Sequence, residues 1–96
     1  MAEPYRVLTT SAFERQARKV IGRNKKLVAF LEDLLAILVK DPQNTSRKYQ
    51  IKKLTGLNPG EGQWRIRRGD YRLRYDIFEK DVVLHSFRDR KKAYRA

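Results

Sequence analysis

The stretch that decides the fold is Gln63 to Arg74, QWRIRRGDYRLR. In an extended chain successive side chains point to opposite faces, so Trp64 and Ile66 share one side of a strand while Gln63, Arg65 and Arg67 share the other. After Gly69-Asp70 the alternation resumes, with Tyr71, Leu73, Tyr75 and Ile77 on one face and Arg72, Arg74 and Asp76 on the opposite one. A Gly-Asp pair between two such runs predicts a two-residue hairpin, Gly69 supplying the positive φ of a type II′ turn. Closing the turn there sets Arg68 against Tyr71, Arg67 against Arg72, Ile66 against Leu73 and Arg65 against Arg74. Closing it one residue earlier sets Ile66 against Tyr71 and Arg65 against Arg72. Either register places arginine opposite arginine, which is unfavourable by roughly 0.2–1 kcal/mol a pair. A sequence that accepts this twice suggests a polyanion to receive the charge; the plainer alternative is a solvated sheet face.

The whole chain supports a basic surface. Its 96 residues, 41% of them hydrophobic, suffice for one domain spanning 1–96 with a single modest core. The formal net charge is +12, an excess that points to nucleic acid or another polyanion. Residues 1–46 carry 8 Lys+Arg against 5 Asp+Glu, and residues 47–96 carry 15 against 6, so the second half holds most of the charge. The absence of cysteine excludes disulfides and thiolate metal sites, and a single histidine excludes a His-rich one. The N-terminus has no signal-peptide core and no apolar run approaches about 18 residues, so a cytoplasmic protein with no membrane partner is expected.

Outward from the hairpin, Tyr5–Leu8 reads as a first strand. Ser11-Ala-Phe-Glu14 fits a capping box opening a helix, Ser11 as N-cap, with Phe13, Ala17, Val20 and Ile21 as its apolar stripe and Gly22 as its end. A second helix is predicted from about Asn24 or Lys25 to Lys40, on the spacing of Leu27, Phe30, Leu31, Leu34, Leu35 and Leu38. Val28, Ile37 and Val39 lie off that stripe, thickening the core or meeting a partner. Tyr49–Leu54 reads as a short extended segment delivering Lys52 and Lys53. Phe78 to Asp81 is a second turn, and Asp81–Phe87 a strand with Val82, Leu84 and Ser86 on one face and Val83, His85 and Phe87 on the other. With both faces covered, that strand belongs away from the sheet edge. Arg88 to Ala96 reads as a loop or one helical turn. The order β-α-α-β-β-β gives an α+β fold in two layers, two N-terminal helices on a mostly antiparallel twisted sheet.

Arg65, Arg67, Arg72, Arg74, Arg90 and Tyr94 form the constellation with chemical potential, and Lys52, Lys53, Arg88 and Lys91 join Arg74 as expected RNA contacts. The guanidinium fork matches phosphate oxygens and keeps its charge. Trp64, Tyr71 and Tyr75 belong to the core by alternation. No carboxylate cluster for two-metal chemistry is evident, since Asp70, Asp76, Asp81 and Asp89 read as turn-like or isolated, and no metal or cofactor is expected. His85 on a face with Val83 and Phe87 reads as a packed histidine rather than a general base. The remaining nuclease route uses the substrate's own 2′-hydroxyl, the protein supplying positioning, charge stabilisation and proton transfer. Residue types leave this route and simple binding nearly even.

The segments KKLTG (Lys52–Gly56), WRIRRGDYRLRYDI (Trp64–Ile77) and VVLHSFRDRKKAY (Val82–Tyr94) resemble the RelE/ParE superfamily of type II toxin–antitoxin toxins, most of all its RelE branch. The resemblance implies an endonuclease that cleaves mRNA in the ribosomal A site through 2′-hydroxyl attack and is neutralised by a cognate antitoxin. It assigns Arg65 and Arg67 to the first hairpin strand's two basic positions, Arg72 to the arginine of the next strand, Arg90 to the C-terminal acid or charge stabiliser and Tyr94 to the terminal tyrosine. RelE members carry lysines where this chain has Arg65 and Arg67. An arginine, with a pKa above about 12, is a poor base, so the base falls to Tyr94 or catalysis rests on orientation and charge. A ParE-like toxin that poisons DNA gyrase and a non-catalytic nucleic-acid-binding module are the alternatives.

Overall fold

The computed structural model describes residues 4–89, in which the apolar periodicities become seven elements. They are β1 (Arg6–Thr9), α1 (Ser11–Arg23), α2 (Leu27–Lys40), β2 (Ile51–Lys53), β3 (Trp64–Arg68), β4 (Tyr71–Phe78) and β5 (Asp81–Asp89). The strands form one sheet in the order β1-β5-β4-β3-β2, with β1 parallel to β5 and the other neighbours antiparallel. Both helices lie on one face of it. The α+β architecture is as expected, Tyr49–Leu54 contributing β2 as a fifth, edge strand. β5 sits inside the sheet, as its apolar residues on both faces require.

The helix ends differ in detail from the reading of the sequence. Thr10, not Ser11, caps α1, its side chain accepting from Phe13 N at 3.1 Å while its hydroxyl donates to Leu84 O at 3.0 Å. One hydroxyl thus satisfies a helix end and ties it to β5. Glu14 does reach back, but accepts from Thr9 Oγ1 at 2.8 Å. Gly22 stays helical and α1 ends at Arg23, the chain leaving it extended at Asn24. Asn24 Oδ1 accepts from Lys26 N at 3.1 Å, holding a turn that delays α2 until Leu27.

Phe13 and Ala17 of α1 with Leu31, Leu34 and Leu38 of α2 cover Ile66, Leu73, Tyr75, Val82, Leu84 and Phe87 of the sheet. Trp64 and Tyr71 are half-buried against this core, and Ile37 joins it, whereas Val28 remains 42% exposed. The Tyr75 hydroxyl donates to Pro42 O at 2.6 Å, fixing the end of α2 to the middle of the sheet. Burial, with a smaller contribution from the Asp41 carboxylate, pushes this phenol well above its ordinary range.

The hairpin closes at Gly69-Asp70, the first of the two registers considered, with Gly69 at φ 59°. The next pairing contains the main surprise. Arg74 faces Ser86 while Tyr75 faces Leu84, so His85 is an extra residue on β5. This bulge reverses the parity of the strand. Phe87 joins Val82 and Leu84 in the core instead of sharing a face with Val83 and His85, and Ser86 leaves the face of Leu84. β1 pairs only as far as Leu84, and the Phe87 N–H beyond it donates to Gln16 Oε1 at 3.0 Å. Arg88 and Asp89 continue β5 rather than opening a loop.

The loop before β3 is pinned onto the helix-free face of the sheet. Asp76, 2% exposed, accepts from Gly62 N at 3.0 and 3.1 Å and from Gln63 N at 3.0 Å. Arg74 answers from the same strand, donating from Nε to Gly62 O at 3.0 Å and from Nη2 to Glu61 O at 2.6 Å. Gly62 has φ 79°, and a Cβ there would stand 3.2 Å from Arg74 Cβ, Arg74 Nε and His85 Cγ.

Two stability outcomes are expected. Asp76→Ala strands two backbone donors and lowers stability by about 2–4 kcal/mol in urea melts, with Asp76→Asn losing less. Tyr75→Phe costs about 1–2 kcal/mol at neutral pH by leaving Pro42 O unpaired. A phenol raised in the folded state contributes its full stability below the unfolded value of about 10 and loses it as pH rises beyond. Wild-type stability therefore falls above about pH 10, and the Phe variant should show a flatter alkaline limb in the same melts.

Candidate nucleic-acid interface and catalytic face

Register assembles the cations into two rows on the helix-free face. Lys52 faces Arg65, Arg65 faces Arg74, and Arg74 faces Ser86 beside the His85 bulge. The second row runs Arg67, Arg72, Arg88 across β3, β4 and β5. Four adjacent strands contribute, and the rows lie about 7 Å apart, two residues along a strand. Arg65, Arg67 and Arg72 are half-buried, their stems packed on the sheet, whereas Lys52 and Arg88 are exposed. Each like-charged neighbour costs a few tenths of a kcal/mol or more, and a bound phosphate relieves the repulsion.

Not every expected residue joins them. Lys53 falls on the other face, its ammonium 5.7 Å from the centre of the Trp64 ring. Arg74 belongs to the row, but its Nε and Nη2 hold the loop carbonyls of Gly62 and Glu61. Arg90, Lys91 and Tyr94 lie outside the described residues.

Two acidic groups of these strands are engaged away from the rows. Asp76 is committed to the Gly62 loop, and Asp81 pairs with Arg6 at 2.9 Å at the far end of β5. Tyr71 lies on the core side, stacked on Phe87 at 5.7 Å between ring centres. Burial, then the carboxylates of Asp89 and Asp70, raise its phenol above the ordinary range and make it a weak proton acceptor near neutrality. Among the described residues, no group of three His, Cys, Asp or Glu side chains comes together, and no helix is long and apolar enough to cross a membrane.

Two features of this face were not evident from the sequence. One is the Asp76–Arg74 clamp, because a buried carboxylate that bonds loop N–H groups looks in sequence like any strand Asp. The other is the bulge at His85, which sends Phe87 into the core and puts Arg88 on the arginine face. Its one available signal is the broken alternation of Val82-Val83-Leu84-His85-Ser86-Phe87, in which a large aromatic falls out of step with two core residues. A shallow pocket of about 330 Å³ adjoins Arg67, lined in part by Tyr49, Gln50 and Arg68.

Comparison with known proteins places this geometry. One chain of the toxin–antitoxin complex RelBE2 from Mycobacterium tuberculosis is 29% identical and superposes with a TM-score of 0.68, over 91% of this chain and 99% of that one. The RelB–RelE antitoxin–toxin complex from Methanococcus jannaschii matches at 23% identity and a TM-score of 0.60, over 91% of this chain and 94% of that one. YafQ from Escherichia coli strain BL21(DE3) matches at 14% identity and 0.68, over 95% and 99%. The last two likenesses establish the fold alone. No curated protein sequence matches significantly. The family described as the ParE toxin of type II toxin–antitoxin system, parDE, matches residues 7–94, both helices and nearly the whole sheet included. The chain therefore belongs to the ParE toxin family of type II toxin–antitoxin systems, within the RelE/ParE superfamily.

Proposed function

We propose that this toxin is a metal-independent endoribonuclease that acts in the cytoplasm and cleaves mRNA in the ribosomal A site by attack of the 2′-hydroxyl on the adjacent phosphorus. The observation that carries this reading is the double row of cations on the helix-free face, Lys52 and Arg65 in one row and Arg67, Arg72 and Arg88 in the other. A pentavalent phosphorus carries more negative oxygen charge than the diester. Fixed guanidinium groups on half-dry β-strands favour it without reorganising. Arg65, Arg67 and Arg72 take that role, Lys52 and Arg88 hold the RNA backbone, and Arg90, Lys91 and Tyr94 are assigned to the same site. Arg74 acts at one remove, through the loop.

A cognate antitoxin is the second partner proposed, by analogy with the toxin–antitoxin complexes from Mycobacterium tuberculosis and Methanococcus jannaschii. Acidic side chains covering the arginine face would oppose its charge and block RNA in one contact. The ParE description of the family favours a second reading, gyrase poisoning, in which the same cations meet a protein–DNA complex.

In a reconstituted translation system the purified toxin should cut mRNA only on ribosomes, at codon-phased positions mapped by primer extension. Arg72→Ala, with its fold checked by circular dichroism, should lower the cleavage rate by about 100-fold. Intact mRNA together with inhibited DNA supercoiling would replace this reading with the gyrase one. RNA affinity should fall as salt rises, and loss of a phosphate-binding arginine should flatten that dependence.

A further inference from the structure

The arginine rows stabilise charge but cannot take a proton, since a guanidinium has no acceptor. Attack by a 2′-hydroxyl requires a proton acceptor, and Asp76, Asp81 and Tyr71 are engaged or turned away. His85 is a described residue on the face of the rows whose side chain has a nitrogen acceptor. Because Leu84 points into the core, its neighbour His85 falls on the arginine face, and the bulge keeps Ser86 there beside it. As built, His85 Cγ and Arg74 Cβ flank Gly62 from the same side of the sheet, at the end of the Lys52–Arg65–Arg74 row. The ring is half-buried, with Nδ1 enclosed and making no hydrogen bond, so Nε2 is its route to solvent and substrate.

Resting on the endoribonuclease reading, we propose that His85 is the proton acceptor of the reaction. The 2′-oxygen bonds to phosphorus as its proton passes to His85 Nε2, and the bond from phosphorus to the 5′-oxygen breaks. That oxygen takes a proton from water, and the imidazolium returns its own to the hydroxide left behind. The products are a 2′,3′-cyclic phosphate and a 5′-hydroxyl. Gly62 has a part in this: lacking a side chain, it lets the loop close onto the ring and seal Nδ1. The charged groups that register and the Gly62 contacts place near His85 are Arg74 and Asp76 of β4, Glu61 of the loop and Arg88 of its own strand. Guanidinium and carboxyl groups ordinarily titrate outside the range of about pH 5 to 8 in which histidine changes charge.

The test is single-turnover mRNA cleavage on programmed ribosomes between about pH 5.5 and 9, using wild type, His85→Gln and His85→Ala. His85→Gln should retain ribosome binding and lose about 100-fold or more in rate, together with the rise of activity from acid to neutral pH. Added imidazole should restore part of the activity of His85→Ala, a rescue that a merely structural role would not allow. Cleavage by His85→Gln close to the wild-type rate, with an unchanged pH profile, overturns the proposal and leaves the endoribonuclease reading standing. A wild type that cuts no mRNA overturns both. If the variants do not fold, the wild-type profile decides: a rate that is flat through this range overturns the proposal, and an acid limb supports it.

Discussion

A strand cannot hide both of its faces under one layer of helices. Leu34 and Leu38 of α2 and Phe13 of α1 cover Ile66, Leu73, Tyr75 and Leu84, and the period of two then forces Arg65, Arg67, Arg72 and Arg74 to the opposite side. The apolar core and the cationic face are therefore one decision. Hydrophobic burial supplies the stability that holds like charges in register, and the same burial keeps the arginine stems from turning inward.

On that uncovered face a second set of interactions determines what the cations can do. The Gly62 loop would cross it as free backbone were it not for the Asp76 carboxylate, which satisfies two of its N–H groups, and Arg74, which satisfies two of its carbonyls. A buried carboxylate is tolerable because its lone pairs are occupied and an arginine lies alongside. The loop in turn lies against Arg74 and His85 at one end of the Lys52–Arg65–Arg74 row. A fold shared across a superfamily of toxins does not by itself dictate chemistry. The side chains that this loop and the bulge bring together are where members can differ.

The bulge itself has a modest cost and a local remedy. Inserting one residue into β5 breaks the ladder between β4 and β5, but the backbone groups at its outer edge find side-chain partners, Leu84 O with Thr10 and Phe87 N with Gln16. Thr10 caps α1 and Gln16 lies in its second turn. The helix that covers the core therefore also stabilises the irregularity that shapes the opposite face.

Much of the architecture could be read in the sequence. The leucine spacing of α2, the stripe of α1 and the alternation on both sides of Gly69-Asp70 specify helices, hairpin and the arginine face, because each is a local periodicity with one low-energy solution. The basic half of the chain and the placement of Arg65, Arg67 and Arg72 were legible for the same reason, whereas Arg88, read as the start of a loop, reaches their face through the bulge in β5. The hairpin register was not legible, since both closures paired like with like. The tie of Thr10 to Leu84 and the engagement of Arg74 and Asp76 also required the three-dimensional structure. These depend on partners 12 to 74 residues away in the chain, which no local pattern encodes. The end of β5 is the sharpest case. Strict alternation put Phe87 beside His85, whereas packing of Phe87 against Phe13 and Tyr71 draws that ring into the core, and the extra residue leaves His85 and Ser86 together on the arginine face and brings Arg88 to it. The sequence by itself determined which face would carry the charge; only the tertiary structure decided where β5 breaks its alternation, and with it that Arg88 joins that face, because a bulge is set by the competition between strand register and core packing.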